Sequence, residues 1–259
     1  MKSNIALFVT LFKRDWLEMV RYPFNMLSSI ITLYFLFLLI FLGYRAVGGQ
    51  DINFGNTVDG ITVGFMLWTF SIAAYSLLAW SLMNEAKMGT LEQLYMTSLG
   101  FDRLCVYRII CDFFLNLLFV IPILVLMMAT TGRRLHIDIL SLIPLFIFTL
   151  ASVYGIGFIS GGLGLVFKQI QSFFQILQFV FVGFIVAPVD KLPGLKLLLL
   201  SLGAKLIGKV MIYRLPITKL SPMDLLGLML NGLFYLGVGF LIFKICERIA
   251  KQRGLLGHY

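Results

Sequence analysis

Long apolar segments alternate with short polar ones along almost the whole chain. Six apolar segments contain few charged residues, and each is long enough for a membrane-crossing helix, which needs about 20 residues. These predicted spans are residues 24–44, 60–84, 109–130, 139–167, 172–189 and 223–243. The pattern therefore predicts an all-α integral membrane protein, with one transmembrane domain over residues 1–259.

The composition agrees with a membrane protein. The chain is 60% hydrophobic and only 13% charged, with a mean hydropathy of +0.97, whereas an average soluble domain is about 25% charged. The net charge is +9, but the basic residues are spread over loops and tails. This distribution predicts contact with lipid headgroups and argues against a nucleic-acid partner.

Residues that could carry chemistry are few. Cys105, Cys111 and Cys246 lie near the ends of predicted spans, and their spacing predicts no disulfide. His136 and His258 are too few and too far apart for a metal site. No nucleophile triad or acid–base pair has a workable spacing, so we predict neither catalytic residues nor metal ligands, and no enzyme activity in this chain.

The first 22 residues have the pattern of an amphipathic helix. Phe8, Phe12 and Trp16 belong to one apolar stripe, and basic residues lie mostly elsewhere. This favours a helix lying in the membrane interface, while a helix that contacts a soluble partner is the alternative. Pro23 is expected to end this helix and begin the first span.

Residues 190–220 are apolar but interrupted by charges. Their longest uncharged run, residues 197–204, has eight residues and would cover about 12 Å of a hydrocarbon core about 30 Å thick. We therefore predict one or two short helices that dip into the interface or re-enter the membrane.

Residues 203–210, GAKLIGKV, nearly match a phosphate-binding loop, but Val210 replaces the required Ser or Thr.

Charges near the predicted spans lie at their ends. Arg108 and Asp112 are four residues apart at the start of the third span, where they can form an ion pair. Buried charges within spans mark ion pathways, so their predicted absence argues against a proton-coupled carrier.

The fourth span contains a run of small residues, YGIGFISGGLG, at residues 154–164. Gly157, Gly161 and Gly164 are spaced to allow close helix packing in a membrane. A cargo-lining role, or a bend that accompanies movement of the spans, is the alternative.

A short polar segment, residues 85–98 (EAKMGTLEQLYMTS), separates the second and third spans. Gly89 can end the preceding helix, and Thr90 with Gln93 matches a capping box. The next residues place apolar and polar side chains on opposite helix faces: Leu91, Leu94 and Tyr95 against Glu92 and Gln93. The pattern fits a short amphipathic helix at the membrane surface, and equally a solvated loop with one helical turn.

The order E-x-x-x-G-T-L-E-Q-L in this segment resembles the cytoplasmic loop of type 2 ATP-binding-cassette exporter permeases. The resemblance implies a coupling helix that docks on a separate ATPase subunit, with Leu91 and Leu94 seated in a cleft of that subunit. The implied contact residues are Glu85, Gly89, Thr90, Leu91, Glu92, Gln93, Leu94 and Tyr95.

The resemblance also implies six spans, both termini in the cytoplasm, and re-entrant helices on the external side of the cell membrane. Of the 21 Lys and Arg residues, 12 would lie inside, which agrees in sign with the positive-inside rule. Six of the others lie in residues 190–220, where they would meet outer headgroups or an anionic cargo.

The implied assembly is a dimer of permeases, either two copies or two related chains, with two ATPase subunits that hold ATP and magnesium. This chain itself would hold no cofactor. Closure of the ATPases would push on the coupling helix and shift spans one, two and five.

The cargo class follows from a second resemblance. Residues 14–27, RDWLEMVRYPFNML, look closer to the drug-, peptide- and lipid-exporting branch than to the polysaccharide branch. This favours an amphipathic, drug-, peptide- or lipid-like cargo. A lipid-linked polysaccharide exporter is the alternative, and an ATP-independent secondary carrier or channel is the alternative from another class.

Overall fold

The chain folds as a bundle of long helices. A computed structural model describes residues 2–46, 58–97, 100–132, 134–167, 170–187, 189 and 193–253, with side chains from residue 6 onwards, apart from Pro193. Within these residues the secondary structure consists of α-helices and two short 3-10 helices, Pro193–Leu197 and Ile217–Lys219. The α-helices are α1 (Lys2–Arg21), α2 (Pro23–Ala46), α3 (Val58–Lys87), α4 (Leu91–Tyr95), α5 (Phe101–Thr131), α6 (Ile139–Phe167), α7 (Gln171–Val186), α8 (Ser201–Met211) and α9 (Pro222–Gln252).

Parts of the predicted connections lie outside the described residues. They are most of the loop between the first two spans, residues 98–99, Arg133, the turn at residues 168–169, Pro188 near the end of the predicted fifth span, residues 190–192 at the start of the predicted re-entrant segment, and the tail from residue 254.

Five of the described helices are long and apolar enough to cross a membrane: α2, α3, α5, α6 and α9. They have 24 to 31 residues and so are about 36–46 Å long, against a hydrocarbon core of about 30 Å. The all-α prediction is confirmed for the described residues, and the architecture is that of a multi-pass membrane protein. The fourth predicted span coincides with α6.

The predicted fifth span, residues 172–189, is shorter in the structure. Helix α7 has 16 residues, about 24 Å. It ends at Val186 because Ala187 adopts an extended backbone, with φ −55° and ψ 129°, as expected for the residue before a proline. Because α7 is shorter than the other apolar helices, five rather than six described helices have the length of a full span.

Helices α3 and α6 occupy the centre of the bundle. Within their most apolar stretches, 61% of the α3 residues and 56% of the α6 residues are buried, against 17% in α2 and in α9. Helix α6 packs most extensively on α9 and on α3, and α3 also contacts α5, α7 and α8. The outer faces of α2 and α9 remain apolar and exposed, as lipid-facing surfaces do in membrane proteins.

The predicted break at Pro23 is confirmed. Helix α1 ends at Arg21, and α2 begins at Pro23. Helix α1 packs against α5, where Leu11 is buried and the Phe8 ring meets the Phe114 ring edge-on at 6.4 Å between centroids.

Residues 193–220 form short helices, as predicted. Eight residues of α8 are buried, and Gly203 of α8 lies directly against the Thr149 side chain of α6. Residues 203–210 are thus helical and do not form a phosphate-binding loop. The Lys196 ammonium group also pairs with the Asp224 carboxylate of α9 at 2.8 Å.

The bundle has two distinct ends, which we name the α4 end and the α8 end. The segment of residues 193–220, which contains α8, contacts the first turn of α9 through Lys196 and Asp224. Helix α4 contacts the last turns of α9 through Tyr95 and Lys251. These two residues are 27 positions apart on one helix, which corresponds to about 40 Å.

Candidate functional site

The α4 end begins with a glycine-capped helix terminus. Gly89 follows α3 with a φ of +70°, in the left-handed region that glycine tolerates best. The Gly89 N–H donates to the Ala86 carbonyl at 3.1 Å, and the Thr90 N–H donates to the Glu85 carbonyl at 3.0 Å. This is the bonding pattern of a Schellman motif, so Gly89 ends α3, as the sequence predicts, and turns the chain toward α4.

The predicted capping box at Thr90 and Gln93 is wrong. Thr90 precedes α4, but its side chain does not cap the helix. Its hydroxyl instead donates to the Glu85 carboxylate at 2.5 Å. Because a charged acceptor forms a stronger hydrogen bond than a neutral one, this contact ties the start of α4 back to the end of α3.

Helix α4 presents its two faces as the amphipathic pattern predicts, but the apolar face points into this chain. Leu91 is only 2% exposed and belongs to the protein core. Leu94 and Tyr95 are partly buried against the same core. Leu91 therefore anchors α4 to its own chain and is not available to fill a cleft of a partner, whereas Leu94 is partly exposed and its contact with a partner stays a prediction.

The Tyr95 ring joins α4 to α5 and α9. It stacks on Phe101 of α5 with ring centroids 3.9 Å apart, and the Lys251 ammonium group of α9 lies 4.6 Å from its centroid. Burial, followed by the nearby Glu247, raises the pKa of the Tyr95 hydroxyl well above its usual range. Among the described residues this buried hydroxyl has no hydrogen-bond partner.

The same contacts continue into the centre of the bundle. Phe101 stacks on Phe243 of α9 at 6.1 Å between centroids, and Phe243 meets Phe158 of α6 at 5.6 Å. On the polar side, Lys244 pairs with Asp102 of α5, and the buried Glu247 pairs with Lys251 at 2.6 Å. Helix α4 therefore rests on a continuous aromatic and ionic layer between α5 and α9.

A buried ion pair joins α3 to α5 beside α4. The Arg108 side chain is 3% exposed, and its Nη2 atom lies 2.7 Å from Glu85 Oε1. Arg108 also donates from Nη1 to the Ser81 hydroxyl. Glu85 thus accepts hydrogen bonds from both Thr90 and Arg108, and it connects α3, α4 and α5 at one point.

The expected pair between Arg108 and Asp112 does not form. Asp112 Oδ2 instead accepts a hydrogen bond from the Tyr154 hydroxyl of α6 at 2.9 Å. Because α5 begins at Phe101, Arg108 lies about 10 Å and Asp112 about 16 Å along the helix. Both charged residues therefore lie within α5 and not in the segment that precedes it.

An exposed surface remains on α4 and the preceding turn, and we name it the α4 surface. Met96 is 85% exposed and Met88 is 69% exposed. The other exposed residues of this surface are Lys87, Gly89, Glu92, Gln93 and Thr97. Of the eight residues that the sequence predicts as partner contacts, Gly89, Glu92 and Gln93 are exposed here, and the other five are buried or partly buried.

The glycines singled out in α6 lie against α3. The Gly157 backbone approaches the Ala74 carbonyl so closely that an added Cβ would lie 2.9 Å from its oxygen, and one at Gly161 would lie 3.0 Å from the Leu78 side chain. Gly164 is less tight, with Met83 Cγ at 3.4 Å. These positions pack helices together.

A second glycine seam, which our sequence analysis missed, joins α6 to α9. A Cβ at Gly155 or Gly239 would clash with backbone atoms of the facing helix. Gly162 and Gly232 are similarly close to the opposite helix. The sequence does carry a signal for this seam: Gly155 and Gly162 in α6, and Gly232 and Gly239 in α9, are each seven residues apart. Residues at this spacing lie on the same face of a helix.

A cavity of about 630 Å³ lies beside Glu85, between α1, α2, α3 and α5. Its lining includes the charged residues Arg14, Asp15, Glu18, Glu85, Arg108 and Asp112. Aromatic and aliphatic side chains from α3 and α5 complete its wall. Among the described residues, no group of His, Cys, Asp and Glu is arranged to hold a metal ion.

Comparisons with known proteins add no relative. No protein-family description matches this sequence, and neither a curated protein nor a solved structure matches the chain.

Proposed function

We propose that this chain is the transmembrane permease subunit of an ATP-driven exporter, powered by a separate ATPase subunit that docks on the α4 surface. The α4 end would face the cytoplasm of a cell membrane, with the α8 end outside. The cargo would be amphipathic, drug-, peptide- or lipid-like. The ATP and magnesium would belong to the ATPase subunit.

One observation carries this proposal. A five-residue helix between two long apolar helices is held by the buried Leu91 and the partly buried Tyr95, and two exposed methionines flank it, Met88 before the helix and Met96 directly after it. Exposed methionines adapt to a partner surface, and flanking Glu92 and Gln93 can add polar contacts. A helix of this kind is suited to receive a push from a docked subunit and to pass it on.

The contacts of α4 indicate where such a push would go. Glu85 and Arg108 connect α4 to α3 and α5, while Tyr95 and Lys251 connect it to α9. A displacement of α4 would therefore act on α3, α5 and α9, which are the second, third and sixth predicted spans. This differs from the movement of spans one, two and five that the family resemblance implies.

The proposed exporter would work as a dimer, because one permease chain carries one docking helix. The partner chain would be a second copy or a related permease. A lipid-linked polysaccharide remains the alternative cargo.

The hydrogen bond between Asp112 and Tyr154 favours a second candidate function. A carboxylic acid inside a long apolar helix, beside a cavity, is a feature of proton-coupled transport. An ATP-independent carrier is therefore the alternative from another class. A carrier needs no ATPase subunit, so the presence or absence of such a subunit separates the two functions.

Affinity purification from native membranes tests the docking proposal. We expect the wild-type chain to retain an ATPase, identified by mass spectrometry and by ATP hydrolysis in the eluate. Met88→Asp combined with Met96→Asp should reduce its retention at least tenfold, because interface anchors contribute about 2 kcal/mol or more each.

Met223→Asp is the matched control, since Met223 is 79% exposed at the α8 end. It should leave retention unchanged, and all three proteins should show the same thermal unfolding. If the wild-type chain retains no ATPase, or if Met223→Asp and the double variant behave alike, the docking proposal is wrong.

A further inference from the structure

The cavity beside Glu85 has the size and lining of a ligand site. Its volume of about 630 Å³ lies within the range of about 300–1,000 Å³ that small-molecule sites occupy. One part of its wall is apolar and is formed by Leu77, Trp80, Leu115 and Phe119. The other part is polar and charged, so the cavity would suit a molecule with one apolar and one polar end.

The charges of this lining do not balance. Two arginines face four acidic residues. Arg14 pairs with Asp15 at 2.7 Å, and Arg108 pairs with Glu85 at the same distance. Among the described residues, Glu18 and Asp112 have no Lys or Arg within ion-pair distance. The cavity is thus acidic, although the whole chain has a net charge of +9.

Arg108 supplies an independent indication of a ligand. Its side chain is 3% exposed and lines the cavity, yet its buried Nε atom has no hydrogen-bond acceptor among the described residues. A buried donor without a partner costs free energy. A ligand oxygen would satisfy it only if the guanidinium group turned toward the cavity, because this atom is inaccessible in the structure.

We propose that this cavity binds a cationic amphiphile, with its ammonium group at Asp112 and Glu18, an oxygen near Arg108, and its apolar part against Trp80 and Phe119. A carboxylate in an apolar setting is stabilised by a paired cation. Aromatic faces also attract ammonium groups. The size of the cavity suits a single-chain molecule.

This inference rests on the proposed function only where it names the ligand as the cargo of the exporter. Binding itself requires no ATPase subunit. A chain that binds the amphiphile but retains no ATPase would contradict the exporter and leave the site intact. A chain that retains an ATPase but shows no charge-selective binding would contradict the ligand site and leave the exporter proposal intact.

Lauroylcholine is a suitable probe, because it combines a quaternary ammonium group, an ester carbonyl and one alkyl chain. Saturable binding would be measured by equilibrium dialysis of labelled probe with the chain in nanodiscs of a neutral glycosyl diacylglycerol, which has no ammonium group, after subtraction of empty nanodiscs. Monolauroylglycerol and laurate carry the same acyl chain with neutral and negative ends. We expect them to bind at least tenfold more weakly than lauroylcholine.

Variants locate the binding to this cavity. Asp112→Asn removes the charge but keeps an oxygen that can accept from Tyr154, and it should weaken lauroylcholine binding at least tenfold. Asp138→Asn is the matched control. The Asp138 carboxylate likewise accepts a hydrogen bond from a hydroxyl group, that of Ser141, but it lies near the start of α6, at the α8 end. It should leave binding unchanged. Dodecyltrimethylammonium, which lacks the carbonyl, should bind several-fold more weakly than lauroylcholine if Arg108 contacts the ligand oxygen.

Ammonium groups also occur on membrane lipids, so the source of the ligand needs its own comparison. Displacement of lauroylcholine in nanodiscs that contain phosphatidylethanolamine would assign the site to a bilayer lipid amine, and retained binding would assign it to a free amphiphile. Equal binding of the cationic, neutral and anionic probes would overturn the proposal. So would full binding to the Asp112→Asn variant while its thermal unfolding is unchanged.

Discussion

At the scale of single residues, Glu85 and Arg108 together join α3, α4 and α5 at the α4 end. The Arg108 guanidinium group is buried between α3 and α5 and is neutralised by Glu85. Glu85 is also the acceptor for Thr90, which begins α4. A loss of this carboxylate would therefore leave a buried positive charge uncompensated and release the start of α4.

Glu85→Gln tests this connection. We expect it to destabilise the folded protein by about 3 kcal/mol, because removal of one partner from a buried ion pair leaves the other charge unpaired. Glu92→Gln makes the same chemical change on an exposed residue of α4 and should change stability by less than about 0.5 kcal/mol. Unfolding of both variants in mild detergent measures the difference, and equal stabilities would contradict the structural role of Glu85.

Some residue roles could be predicted from the sequence and others could not. Gly89 ends a helix because of its own backbone freedom, which is a local property. The partner of Arg108 is different, since Asp112 at four residues' distance competes with Glu85 from another helix. Local spacing cannot decide which helices face each other: Arg108 faces Glu85 of α3, whereas Asp112 faces Tyr154 of α6.

At the scale of helices, α4 separates into an anchoring face and an exposed face. Amphipathic spacing predicts both faces correctly, but it cannot tell whether the apolar face points to the same chain or to a partner. The structure places Leu91 in the core and leaves Met96 outside. Truncation of the two residues should therefore have different effects.

Leu91→Ala should destabilise the chain by about 3 kcal/mol, as expected for loss of a buried leucine side chain. Met96→Ala should leave stability within about 0.5 kcal/mol and weaken retention of the ATPase subunit. Thermal unfolding and affinity purification of both variants measure the two effects. Loss of stability in Met96→Ala, or its absence in Leu91→Ala, would show that the two faces are assigned the wrong way round.

The seam between α6 and α9 depends on backbone contact. Gly239→Ala adds a Cβ that would collide with the Gly155 carbonyl, and we expect a cost of about 2–3 kcal/mol, because backbone atoms cannot move aside as side chains do. Gly237, two residues away on the same helix, has no atom within 4 Å of an added Cβ.

Gly237→Ala should therefore be neutral or stabilising by up to about 1 kcal/mol, since alanine favours helix more than glycine does. Opposite signs of the change in unfolding free energy for the two variants, measured in detergent, would support close backbone contact between α6 and α9. Similar changes for both variants would mean that the two helices are further apart than in the structure.

The residues at which helices begin and end could be predicted where a nearby residue, such as a proline, determines them. Pro23 separates α1 from α2, and α6 matches its predicted bounds. The shortness of α7 follows from the proline after Ala187, which apolar composition alone does not reveal. The depth of Asp112 in α5 was also missed, because the helix starts eight residues before the first residue of the predicted span.

At the scale of the whole molecule, the proposed function requires the α4 end and the α8 end to lie on opposite sides of the membrane. Met96 and Met223 are strongly exposed markers of these two ends. Each can be replaced by cysteine in a background that lacks Cys105, Cys111 and Cys246.

A membrane-impermeant maleimide applied to intact cells should label the Met223→Cys chain and spare the Met96→Cys chain until the cells are opened. Labelling of both chains in intact cells, or the reverse order, would contradict the proposed orientation. The parent chain without cysteines should remain unlabelled throughout.

Site-specific cross-linking tests whether a separate ATPase docks on the α4 surface. A photo-reactive amino acid would be placed at Met96, and at Met223 as the control, followed by irradiation of native membranes and mass spectrometry of the products. We expect a cross-link from position 96 to an ATP-binding-cassette ATPase and none from position 223. Absence of any ATPase adduct at position 96, with efficient cross-linking to lipid or to other proteins, would contradict it.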